Sequence, residues 1–499
     1  MRRLLLTALF ATSLFTAASA QTLRIGMNND PDILDPTLSR TFVGTVVMTG
    51  ICDKLVDTDP ELNIVPRLAT GYEWADPQTL IFHLRAGVLF QDGEKMDAAA
   101  VKYNIDRNLN FPGSFRRSEI QAADHVEVVD PLTVRVVLKQ PSSPWVVQLT
   151  DRSGMMVSPK AAESAGKDFG LHPVCAGPFS FVERVAQDHI TLERFSKYWD
   201  AASIHFDRVI YRPMTDSSVR LANLQAGAVN LADIVPTDVD AVKGNPKLQL
   251  STAGSLGYTG LTINVGNGPR ADTPLGQDRR VRKALELSLD REAIIQVVYN
   301  GLYTPNAQAV SPENPLHVAA LKPPTRDIAR ARALLADAGV KLPVVVPLMI
   351  PNSPQVLQVG EVIQSMAKEA GFDIQVIAMD FGTTIAASQK GDFSAWLIGW
   401  SGLLDADSNI WTFLHTGGPL NTSHYSNASV DSLLDEARTI TDIAKRRAVY
   451  ERMWQQESED LPIIYLWAPR NIIGLSAKLQ GFHSMPDGLL RLQGVQMTP

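Results

Sequence analysis

Between Asp278 and Trp467 the spacing of apolar residues switches repeatedly between a helical and an extended period, and this alternation restricts the chain to layers of helices packed on strands. Asp278 reads as the N-cap of a helix with Val281, Ala284, Leu285, Leu287, Ile294, Ile295 and Val298 on its apolar face and Gly301 past its end. A second helical stretch spans 327–339. The apolar run 344–350 follows, then a helical stretch at 355–370, strands at 373–378 and 395–400, helix at 430–456, and the apolar run 463–467. Strand, helix and strand in succession predict an α/β lobe.

The N-terminal half mixes the same two periods. An alternating segment, Leu23 to Met27, runs into polar Asn28-Asn29-Asp30-Pro31, which reads as a strand ending in a turn. Polar groups at a strand end can meet a ligand, which makes Asn28 a candidate contact. Residues 79–85 alternate as a strand, Gly93 marks a turn, and 98–109 has helical spacing. At roughly 100–200 residues per domain, a chain of 499 residues divides into two to four lobes. No short-period repeat or low-complexity linker interrupts it.

The first twenty residues form a different unit. Arg2-Arg3 precedes an apolar run, Leu4 to Phe15, and the segment ends Ala18-Ser19-Ala20. That is the layout of a secretory leader, because the run is too short to cross a bilayer and small residues stand where a signal peptidase cuts. No Cys follows Ala20 to carry a lipid. Loss of the leader takes the formal net charge from −7 to −9, which disfavours nucleic acid as a partner. The two cysteines, Cys52 and Cys175, can form one disulfide in an oxidising compartment or remain two small buried side chains.

Enzyme machinery is not legible. Gly254-Ser255-Leu256-Gly257 and Gly399-Trp400-Ser401-Gly402 lack the spacing of a nucleophile elbow, and Gly266-Asn267-Gly268 lacks the third glycine of a dinucleotide site. The nine histidines include no His-Glu-x-x-His. His415 and His424, in a Gly/Asn-rich loop, are the pair that could contact a metal or a metal chelate. No cofactor or resident metal is expected, and binding is the better default than catalysis.

Several segments resemble the family 5 extracytoplasmic solute-binding proteins of ABC importers, the class of dipeptide-, oligopeptide- and nickel-binding proteins. The longest match is Val65-Pro66-Arg67-Leu68-Ala69-Thr70 with Trp74, then Phe82 to Val88, Phe90-Gln91-Asp92-Gly93-Glu94 and Ala98-Ala99-Ala100-Val101. Gly177-Pro178-Phe179, Tyr198-Trp199-Asp200, Leu224-Gln225-Ala226-Gly227, Arg280 to Leu285 with Asp290-Arg291-Glu292, Ala333-Leu334-Leu335 with Ala338-Gly339, and Gly399-Trp400-Ser401 extend it over the mature chain. The resemblance implies a periplasmic, monomeric receptor with two lobes, which closes on a peptide or peptide-sized solute and presents it to a membrane permease and its ATPase. A receptor for a nickel or metallophore complex is the alternative. Lobe I is expected at 21–262 with 474–499 returning to it and an extra subdomain at about 55–165, and lobe II at 263–473. The lobes are expected to cross near 261–264 and 467–473.

Peptide-binding relatives hold the ligand ammonium with an Asp shortly after the Gly-Trp pair, but here Leu403 occupies that place. Asp405 could supply the acid from a shifted loop, although such residues more often cap turns. Trp400 offers a flat face to a ring or peptide plane, with Trp396 and Ile398 on its side of the strand. Ser401, Tyr258 and Tyr425 complete the candidate ligand contacts. N-terminal mass analysis of exported material is expected to find Gln21 first; an intact Met1 would contradict the leader.

Overall fold

The computed structural model describes residues 21–498, so the leader lies outside the described residues. Two large sheets carry the fold. The first has seven strands in the order Leu248–Gly254, Arg470–Ser476, Leu231–Asp233, Thr22–Met27, Arg208–Pro213, His189–Arg194, Phe179–Val185. Thr22–Met27 lies parallel to both of its neighbours, and the remaining pairs are antiparallel. The second has six: Thr304–Pro305, Ile463–Ala468, Tyr258–Ile263, Ala395–Trp400, Val344–Pro351, Phe372–Met379. A four-stranded antiparallel sheet, Ala69–Asp76, Thr79–Leu84, Thr133–Leu138, Ala123–Asp130, packs with the helix Ala98–Asn110 as a separate small unit.

The unbroken apolar run at 463–467 follows from its place in the second sheet. Ile464 and Leu466 enter the core formed with Val281, Leu285 and Ile294, whereas Ile463 and Tyr465 enter the opposite core with Ile410, Tyr450 and Trp454. A strand covered on both faces has no polar side. The helical pattern from Asp278 divides into Arg279–Ser288 and Arg291–Tyr299. Asp290 causes the break by capping the second helix, its carboxylate accepting from the Ala293 amide at 2.9 Å. The stretch at 430–456 divides likewise, into Ala428–Thr439 and Ile443–Asp460, with Asp442 as the new cap.

The chain passes between the large sheets twice. Strand Leu248–Gly254 belongs to the first and Tyr258–Ile263 to the second, so the first crossing is Ser255-Leu256-Gly257, a few residues before the expected 261–264. The return is at Pro469, between Ile463–Ala468 and Arg470–Ser476. The two crossings touch, the Ser255 amide donating to the Pro469 carbonyl at 3.2 Å.

Several signature residues of the sequence build scaffold beside Cys52. Buried Asp53 accepts from Tyr198 Oη (2.7 Å), Trp199 Nε1 (2.8 Å) and Arg67 Nε (3.3 Å), while Arg67 Nη2 donates to Tyr198 Oη at 2.7 Å. Arg85 stacks over Trp199, 4.0 Å from the ring centroid. Gln91 Nε2 donates to the carbonyls of Ile51, Gly177 and Phe179, and its Oε1 accepts from the Cys175 amide. Cys52 and Cys175 are joined as a disulfide with Cα atoms 4.8 Å apart. The bridge spans 123 residues, for which chain-entropy arithmetic gives roughly 4–5 kcal/mol. The double variant Cys52→Ser/Cys175→Ser is expected to lose up to that amount in chemical denaturation, and two free thiols titrating in unfolded, unreduced native protein would contradict the bridge.

Candidate ligand cleft

The crossings place the cleft. Strand pairing puts Tyr258, the first residue after the crossing, opposite Trp400, the last residue of Ala395–Trp400. Gly257 is wedged there: a Cβ on it would lie 2.0 Å from the Trp400 carbonyl oxygen, a contact only glycine avoids. Gly402, at φ +80°, turns the chain back against Leu256. Buried Asn409 then fixes the loop, its Oδ1 accepting from Trp400 Nε1 (2.8 Å) and the Leu403 amide (2.7 Å), and its Nδ2 donating to the Leu403 carbonyl (2.8 Å).

Alternation along this strand sends Trp396, Ile398 and Trp400 into one wall. Phe413 meets Trp400 edge-on at 5.1 Å, and Tyr258 meets Tyr465 edge-on at 4.9 Å. Burial, reinforced by Glu457, pushes the Tyr258 hydroxyl far up, so it remains a neutral phenol. Tyr258, Trp396, Trp400 and Phe413 border one space with Phe381 and Leu420, and Arg40 reaches it from the segment before the helix Phe42–Ile51. An adjoining, more polar space is lined by Asn29, Asp30, Asp32, Gln187, Asp380 and Gln389, and shares Arg40, Phe381 and Ile385 with the first.

Contacts between the parts also close this cleft away from the crossings. Ser217 Oγ and the Gln355 side-chain amide lie within hydrogen-bond distance at 3.2–3.3 Å. On the other side, Ser408 Oγ donates to Gln148 Oε1 at 2.8 Å and the Ser143 amide donates to the Arg438 carbonyl at 2.9 Å.

Of the residues singled out from the sequence, Trp400 and Tyr258 share the aromatic wall. Ser401 and Leu403 border a neighbouring space with Phe42, Arg152 and Leu489. Asn28 borders a third, apolar space next to Phe42 and Phe482, its Nδ2 donating to Asp233 Oδ2 at 3.1 Å. Asp405 requires correction. It is buried, caps Ala406–Leu414 through the Asp407 amide, and gives both oxygens to Arg446 at 2.6 and 2.7 Å, so its charge is already neutralised. Tyr425 requires one too, because it lies in the core around Trp411 and Val430 with its hydroxyl donating to Asp460 Oδ2 at 2.7 Å. His415 stacks on Trp411 at 4.3 Å and contacts Asp435, whereas His424 is exposed in a left-handed conformation. Among the described residues no three His, Cys, Asp or Glu side chains gather as a metal centre.

Arg40, Phe381 and Phe413 were not singled out beforehand. Arg40 carries no local signal, since an arginine before a helix is ordinary surface chemistry; Phe381 and Phe413 read as core aromatics until the sheet and its helices bring them to one wall.

A cleft between two α/β bodies joined by two adjacent crossings, floored by aromatics, defines a two-lobe binding protein. The chain belongs to the bacterial extracellular solute-binding proteins, family 5, whose model matches residues 63–421. It is 32% identical over 479 residues to the glutathione-binding protein GsiB of Pectobacterium atrosepticum, covering 93% of this chain and 92% of that one. The Escherichia coli murein tripeptide binding protein MppA superposes with a TM-score of 0.89 at 21% identity, over 97% of this chain and 99% of that chain. The protein AgaA in complex with agropinic acid, from A. tumefacien R10, superposes at 0.85 with 25% identity, over 96% and 99%.

Removing one partner of a buried ion pair leaves the other charge uncompensated, at a cost of about 3–5 kcal/mol. Asp405→Ala is therefore expected to lower stability by that order in urea denaturation. A variant with native stability and altered ligand choice would return Asp405 to the ligand site.

Proposed function

We propose that the protein is the substrate-binding component of an ABC import system, capturing a peptide or peptide-sized organic solute in the periplasm and delivering it to the membrane permease and its ATPase. The carrying observation is the aromatic wall of Tyr258, Trp396, Trp400 and Phe413 beside a polar space, both within a cleft bounded by the two crossings. Relatives about 30% identical over nearly their whole length carry the name glutathione-binding protein, which supports a small peptide as the ligand class. Lobe I then comprises 21–254 with 470–499 returning to it and the small unit at about 55–165, and lobe II comprises 258–468. The protein acts as an exported monomer that binds without turnover. Opening is rotation about Ser255–Gly257 and Pro469, a hinge motion around the ligand.

Native mass spectrometry of protein purified without denaturation is expected to reveal a retained small solute. Indole fluorescence should change saturably when glutathione or a short peptide is added to solute-free protein. Trp400→Ala should weaken that binding by about 2 kcal/mol or more without changing the fold. No retained mass together with flat titrations across di- and tripeptides and glutathione would overturn the proposal.

A further inference from the structure

Arg40 stands where the aromatic and polar spaces meet, bordering both. Its backbone is fixed by Asp32, whose charge acts on the guanidinium through space but forms no ion pair with it. Asp32 accepts the Arg40 amide on Oδ2 (2.8 Å) and the hydroxyls of Ser39 and Thr41 on Oδ1 (2.9 and 2.7 Å). Burial opposes the charge on Asp32, yet these bonds and the Ile33 amide together hold its carboxyl below the usual range. The carboxylate therefore holds the turn.

The Arg40 guanidinium lies 4.8 Å from the Phe115 ring centroid, and among the described residues it forms no ion pair. Its Nε is buried without a hydrogen-bond partner among the described residues, as are those of Arg184 and Arg446, so what sets Arg40 apart is the missing ion pair. Other arginines around the cleft are paired: Arg184 with Asp30, Arg152 with Asp151, Arg438 with Asp407 and Arg446 with Asp405. A second orphan lies in the same aromatic wall, where Trp396 is 7% exposed and its indole Nε1 has no acceptor. Both groups are donors only, since neither a guanidinium nor an indole N–H can accept a hydrogen bond. A ligand ammonium would repel one and leave the other unsatisfied. A carboxylate supplies acceptors and the counter-charge, and it matches the guanidinium fork in two-pronged geometry.

We propose that Arg40 anchors a carboxylate of the bound solute, which makes the ligand an organic acid whose flat or apolar part lies against Trp400 and Phe413. This rests on the solute-binding reading and specifies its ligand class. Arg40 thereby also ties the lobe that carries it to the ligand held against the other lobe, so carboxylate binding and closure are linked.

The test is calorimetry with glutathione and trialanine, each as the free acid and as the carboxamide in which every carboxylate is converted. Native protein, Arg40→Gln and Arg40→Lys are compared after their solute-free melting curves are shown to coincide; if Arg40→Gln alone melts early, Arg40→Lys carries the comparison. At least one free acid is expected to bind native protein 10-fold or more tighter than its amide. Arg40→Gln should weaken the acid to the level of the amide, and Arg40→Lys, which keeps the charge but not the fork, should fall between. Equal binding of acid and amide by native protein, undiminished discrimination in both variants, or no binding of either acid overturns the proposal. A co-purified solute without a carboxyl group overturns it as well, yet leaves the solute-binding reading standing; that reading fails only if no solute is retained and all titrations are flat.

Discussion

The close packing of the first crossing against the loop after Trp400 governs the rest of the molecule. Gly257 fits under the Trp400 carbonyl because it has no Cβ, and Gly402 fits against Leu256 for the same reason. The crossing at Ser255 is bonded in turn to the return crossing at Pro469. Both connections between the large sheets and the aromatic ligand wall are therefore one packed unit. Trp400 itself pairs with Tyr258, the first residue beyond the crossing. Asn409 fixes the adjoining loop, its side chain closing both ends of the Trp400–Leu403 turn.

The residues that made the chain recognisable mostly do other work. Arg67, Tyr198 and Trp199 converge on Asp53, Gln91 ties three carbonyls around the disulfide, and Arg291 pairs with Glu286 while donating to the Tyr465 carbonyl. Asp53, Tyr198, Arg291 and Glu286 are buried and Arg67, Gln91 and Trp199 half-buried, so the loss of any one would leave polar partners unsatisfied. The residues bordering the ligand spaces are instead aromatic, aliphatic and amide side chains without a common motif.

Legibility in the sequence followed the range of the physics. The helix cap at Asp278, the helical stretch from 327, the strand at 395–400, and the shared side of Trp396, Ile398 and Trp400 depend on residues a few positions apart, and they were readable. The breaks at Asp290 and Asp442 were missed because the apolar period continues through them, while the cap bond that ends one helix and starts the next needs only a single carboxylate. Asp405 looked available for a ligand because Arg446, 41 positions later, is brought against it only by helix packing. Tyr425 was misread for the same reason, its partner Asp460 standing 35 positions away.

By itself the sequence determined the α/β class, the periods of the individual elements, and, through its long signature, membership in a solute-binding family. Those properties reside in local backbone preference or in runs of adjacent residues. Tertiary structure alone decided which side of each strand faces the cleft, where the chain crosses between sheets, which carboxylates are already neutralised, and that the guanidinium of Arg40 forms no ion pair among the described residues. Each depends on side chains tens to hundreds of positions apart meeting in a dry, packed interior, where an unpaired charge or donor is costly and its environment sets its role.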